Sequence, residues 1–266
     1  MSNGVFAAVL CVALFLSADG VAQGTGTSEP VLPSADIPIA NTKWIKGAYE
    51  YGFLDSDVIR GHEDWTITVH PDGSRTVEAF VDLREQGHQS NVILRVDERF
   101  RPLDAYANFW RFGAYGGAAR FWLEPRARPY VDVLHGNIIG PNGNATLALE
   151  VPEAYSLRVH PVITEGWQVL SYDHTKPSPQ AVPLYNMVTT SGEGIKGIGQ
   201  MVGNEIIYHG RETVTVPAGT FEADHYTFYF GRYDIWLWGD DQVLVRYVAK
   251  ANNREYRLTK LEVGPS

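Results

Sequence analysis

The chain has eight histidines and a single cysteine among 266 residues, so proton transfer near neutral pH would fall to imidazole. An imidazole titrates near pH 6.5 and can both take and give a proton there. His225 stands in Ala223-Asp224-His225-Tyr226-Thr227-Phe228-Tyr229, where strand alternation puts it on one face with Thr227 and Tyr229. His160 precedes Pro161, and proline ends a strand or confines it to an edge. Ser171-Tyr172-Asp173-His174 sets three triad residue types side by side. Neighbours on a strand point to opposite faces, so these four cannot assemble a triad among themselves, and no Gly-x-Ser-x-Gly elbow occurs. Tyr172, as a possible donor, and Asp173 are kept beside His160 and His225 as catalytic candidates.

Binding groups come from another set. Arg120 is followed by Phe121 and Trp122, and Arg232 lies between Tyr229 and Tyr233. An arginine among rings can bind a carboxylate or steady an enolate or phenolate, although the same adjacency also serves plain stacking. With Tyr106, Trp110, Trp167, Tyr229 and Trp236, these residues would make the wall of an aromatic pocket. The histidines form no His-x-His or His-x-x-x-His pair, and neither a metal nor any other cofactor is expected. Gly192-Glu193-Gly194-Ile195-Lys196-Gly197 spells a dinucleotide fingerprint, but Gly199 and Gly203 break the helix that must follow it. A glycine-rich loop is the better reading.

These side chains need strands to hold them. Trp65, Ile67 and Val69 alternate with polar residues, Pro71-Asp72-Gly73-Ser74 turns the chain, and Val77, Ala79, Val81 and Leu83 resume the period of two. The same texture runs through Val92–Val96, Tyr106–Phe112, Ala119–Leu123, Ala145–Val151 and the quarter after Glu212. Only Val159 to Tyr208 is irregular enough for a short helix or a long excursion. About ten to twelve strands predict an all-β, antiparallel, lipocalin-like barrel or barrel-like sandwich over residues 43–266. Several strands are apolar or aromatic on both faces, which suits an enclosed cavity better than a one-sided sheet.

Val5 to Leu16 is an apolar run too short to span a bilayer, followed by Gly20 and Ala22. Residues 1–22 thus read as a signal peptide and 23–42 as a flexible leader. Cleavage would remove Cys11, the only thiol, and a periplasmic or secreted location follows. The formal charge of −9 offers nucleic acid or an anionic membrane no basic face. Neither nucleic acid nor stable membrane insertion is expected.

Thr213 to Phe221 contains Val216-Pro217-Ala218-Gly219-Thr220-Phe221, followed by Ile235-Trp236-Leu237 and Val243 to Tyr247. This stretch resembles exported bacterial β-proteins of the DUF3108-like type. The resemblance covers the C-terminal quarter, implies a barrel-like exported protein and carries no reaction.

Two functions remain open at this point. One is binding of an apolar or aromatic small molecule in the barrel lumen. The other is a cofactor-independent lyase, isomerase or dehydratase using His, Tyr and Arg in the same cavity. A structural role in the envelope is a third.

Overall fold

A computed structural model describes residues 43–141, 143–187 and 199–265. The expected signal peptide, the leader and the Gly192–Gly197 run lie outside the described residues.

The chain is nearly all β. Among the described residues fifteen strands form one sheet in the order β8-β7-β6-β5-β4-β3-β2-β1-β15-β14-β13-β12-β11-β10-β9. They are β1 (Lys43–Phe53), β2 (Ser56–Val69), β3 (Arg75–Leu83), β4 (His88–Val96), β5 (Pro102–Arg111), β6 (Ala114–Glu124), β7 (Asp132–Gly140) and β8 (Gly143–Val151), then β9 (Ser156–Arg158), β10 (Gln180–Asn186), β11 (Gln200–Val216), β12 (Gly219–Phe228), β13 (Tyr233–Trp238), β14 (Val243–Ala249) and β15 (Arg254–Val263). This exceeds the ten to twelve expected, for local reasons. Strand β7 carries Gly136, where a Cβ would stand 2.9 Å from the Phe121 ring; the glycine that admits the ring also blurs the alternation. Strand β10 contains Pro183, and β11 bulges between Tyr208 and Gly210.

The sheet is open and barrel-like. Its edge strands β8 and β9 do not pair with each other. Yet β8 ends at Val151 and β9 begins at Ser156, a step of at most about 17 Å. The sheet must therefore curl until its two edges meet across a seam.

All neighbouring pairs are antiparallel except β9 with β10, which is parallel. The chain leaving β9 must then travel back the length of a strand before β10 can start. Residues 159–179 make that return. They include α1 (Val162–Glu165) and a 3-10 helix (Gly166–Ser171), and every residue from Pro161 to Val169 is buried. The irregular stretch in the sequence is thus the inner segment of the barrel. Its outermost anchor is Trp167, whose indole N–H donates 3.1 Å to the Asp241 carbonyl in the β13–β14 turn and whose ring meets Phe100 edge-on at 5.7 Å.

Candidate functional site

The inner face of the sheet can be followed by register. Tyr51 pairs with Tyr256, Tyr256 with Tyr247, and Tyr247 with Ile235, so all four side chains point inward together. Tyr51, Tyr256, Tyr247, Tyr233 and Tyr229 form a continuous run of rings, with successive centroids 4.4, 5.1, 5.4 and 5.4 Å apart.

Glu63 lies against this run, fully buried. Its carboxylate accepts the Tyr51 hydroxyl and the amides of Val162 at 2.7 Å and Ile163 at 3.0 Å. Burial pushes the Glu63 carboxyl up to about 7, against the pull of its three hydrogen bonds. Burial, with the neighbouring Glu63 charge, also holds the Tyr51 hydroxyl well above its ordinary range. Arg158 and Glu165 pair at 2.7 Å, Gln168 donates to Glu165, and the Asn204 amide donates to Gln168 at 3.1 Å. The inner segment is therefore keyed to the wall by polar contacts within an otherwise apolar core. Sequence reasoning missed Glu63, although a charge at the core period of Glu63, Trp65 and Ile67 was a readable signal.

His160 follows β9 with a left-handed backbone, φ 92°. Its side chain is accessible to solvent, yet desolvation, reinforced by the Arg158 charge, lowers its pKa to about 4. His88 stands 6.0 Å away ring to ring and is lowered to about 4 by burial and then by His160 and Arg111. Tyr229 lies beside Arg158, whose guanidinium is 5.3 Å from its ring. His160, His88, Arg158 and Tyr229 thus gather near the end of the barrel where β9 stops.

The other expected residues are dispersed. His225 pairs with Trp236 in the register that alternates with Tyr226 and Ile235, which places both on the outer face. There Nδ1 lies 3.0 Å from Glu212 and Nε2 3.0 Å from Asp234. Trp236 stacks on the imidazole at 4.4 Å and donates 3.0 Å to Glu212. Thr227 shares that face as expected. Tyr229 does not, because the left-handed turn after Phe228 (φ 52° at Tyr229) rotates it inward.

Tyr106, Arg120 and Trp122 also gather on the outer face, since Ala105, Ala107, Ala119 and Phe121 take the inner positions. Tyr106 opposes Arg120, Arg120 lies 5.4 Å from the Trp122 ring, and Trp122 stacks on His135 at 5.3 Å. Trp110 meets Tyr115 edge-on at the end of β5, and Arg232 is exposed in the β12–β13 turn. Trp167 is locked inside as described. Tyr172 packs against His174, Tyr208 and Tyr226. Asp173 is a turn residue, lowered to about 2 by the Thr175 hydroxyl and amide that it accepts. Neither Tyr172 nor Asp173 has a hydrogen bond to His160 or His225 among the described residues.

A cleft of about 410 Å³ on the outer face is bounded by Lys46, Asp64, Glu78, Asn91, Lys260 and Glu262, with Phe80. Its mixed charges suit a polar guest rather than an apolar one. Among the described residues, no three His, Cys, Asp or Glu side chains converge as metal ligands.

No protein-family model and no curated protein matches the sequence. The chain does resemble the crystal structure of a beta-barrel-like protein of domain of unknown function DUF1849 from Brucella abortus. The TM-score is 0.52 at 10% identity, over 84% of this chain and 98% of that one. At that identity the likeness is one of fold, and what this chain shares with the Brucella protein is a barrel-like β architecture.

Proposed function

We propose that this protein binds an apolar or aromatic small molecule inside its barrel, at the end beside His160 and along the tyrosine-lined inner wall. The observation that supports this reading is the continuous run of tyrosine rings along the inner wall, from Tyr51 to Tyr229. Rings with a few polar groups, here Glu63, Arg158 and Glu165, are the usual lining of a ligand site.

Acid–base catalysis in the lumen has less support. His160 is held uncharged, and the described residues give it no carboxylate partner. The second reading with an observation of its own is proton transfer on the outer face, where His225 lies between Glu212 and Asp234. That cluster is polar, and its carboxylates are further engaged, Glu212 by Trp236 at 3.0 Å and Asp234 by Lys250 at 2.8 Å.

Native mass spectrometry of protein purified from its own host tests the binding reading. A small apolar molecule that is retained in the native spectrum and lost on denaturation is the expected result. A bare chain, together with failure to take up an apolar fluorescent probe that His160→Trp would exclude, would overturn it.

A further inference from the structure

Alternating strand directions bring the β1–β2, β3–β4, β5–β6, β12–β13 and β14–β15 turns to one end of the sheet. Two hairpin tips at that end defy ordinary turn chemistry. Phe112 and Gly113 follow one another with φ 47° and 80°, a pattern for which Asn-Gly is favoured. Tyr229, Phe230 and Gly231 run at 52°, 60° and 77°. A bulky side chain in left-handed backbone is strained and persists only where something compensates for it. Phe100, at φ 61°, is compensated by burial at 7% exposure. Phe112 and Phe230 are 78% and 72% exposed; the Phe112 ring rests on Gly87, yet both rings keep most of their surface in solvent.

The surroundings of these tips are consistent in kind. Leu54, Val58, Tyr115 and Ile139 are exposed at the same end. The Arg111 guanidinium lies 5.4 Å from the Phe112 ring, and Arg232 follows Phe230 by two residues. Arg254 is exposed at the neighbouring start of β15, while Arg84 is paired with Asp82 at 2.7 Å. Asp55, Asp57 and Glu85 are exposed at the same end, but each exposed phenylalanine has an arginine within two residues of it in the sequence, in a chain whose formal charge is −9.

The geometry points to this end as a docking surface for an anionic lipid bilayer. Exposed rings enter the boundary between headgroups and acyl chains, and the flanking arginines meet lipid phosphates. Among the described residues no helix is long and apolar enough to cross a membrane, so the contact is peripheral. At the same end Phe230 adjoins Tyr229, and Phe112 shares with His88, Arg84 and Trp110 a cleft of about 170 Å³. The docking surface does not rest on the binding reading, since an empty lumen would leave both tips in place.

Co-sedimentation of the full chain with phosphatidylglycerol–phosphatidylcholine vesicles, and with phosphatidylcholine vesicles alone, tests this. The protein should pellet with the anionic vesicles and be released by salt. Phe112→Asn with Phe230→Asn should weaken that binding by about tenfold or more. Because asparagine tolerates left-handed backbone, the same variant should keep or raise the urea midpoint. Arg111→Gln with Arg232→Gln, which leaves the tips intact, should abolish the preference for anionic lipid. Absence of vesicle binding would overturn the proposal, as would an asparagine variant that binds like the parent chain. Self-association through this end, with no affinity for vesicles, would also overturn it.

Discussion

The Tyr51 hydroxyl donates to the Glu63 carboxylate inside the barrel, and the same carboxylate accepts the amides that open the inner segment, Val162 and Ile163. One strand of the wall and the return from β9 are thus tied together at a single buried acid. The tie is titratable, because burial pushes Glu63 to about 7.

That shift has a sign. The folded pKa of Glu63 exceeds its unfolded value, so its favourable contribution is complete below about pH 4.5 and declines as pH rises through about 7. A displacement of this size corresponds to on the order of 3 kcal/mol. Glu63→Gln removes the titration, so the stability difference between parent and variant should drift against the parent between about pH 4.5 and 7. Urea unfolding across that range measures it, and two parallel curves would refute the assignment.

His160 and His88 slope the other way. Their folded pKa values lie near 4, below the unfolded value near 6.5. The folded protein therefore binds fewer protons than the unfolded chain between those limits, and stability gains from these groups as pH rises from about 4 to about 6.5. Imidazole resonances followed by NMR should show both rings neutral at pH 6. Titration of either near 6.5 would contradict the desolvation of these rings.

Arg158 and Glu165 are a part-buried pair whose Glu165 side chain is only 4% exposed. Arg158→Met strands that carboxylate and should cost about 3–5 kcal/mol. Adding Glu165→Leu removes the stranded charge and should recover most of the loss. Guanidinium melts of the two single variants and the double variant decide this, and simple additivity of the losses would show that the pair is not coupled.

Gly166 joins α1 to the 3-10 helix. A Cβ there would stand 2.7 Å from the Gln242 carbonyl oxygen and 2.9 Å from Leu237. Gly166→Ala should push the inner segment off the β13–β14 turn and destabilise the chain by about 1–3 kcal/mol. Quenching of Trp167 fluorescence by acrylamide should increase, because its bond to Asp241 lies beside the clash. Unchanged stability would mean that the segment is more loosely seated than its burial implies.

Much of the wall was legible. Val77, Ala79, Val81 and Leu83 alternate in the sequence and are each buried, as are Val92, Leu94 and Val96. The end of the strand before His160 was marked by Pro161. The chemistry was less legible, because His225 and Trp236 share a face but not the inner one. Tyr106, Arg120 and Trp122 likewise came together away from the lumen.

By itself the sequence determined the all-β class, the turns and which residues share a face, because side chains in a strand alternate with a strict period of two. The tertiary structure alone decided which face is the inside, since strands apolar on both faces give alternation no sign. It also decided that the return from β9 to β10 runs through the barrel. That path follows from the parallel pairing of two distant segments, and it is what sets the amides of Val162 and Ile163 on the buried Glu63.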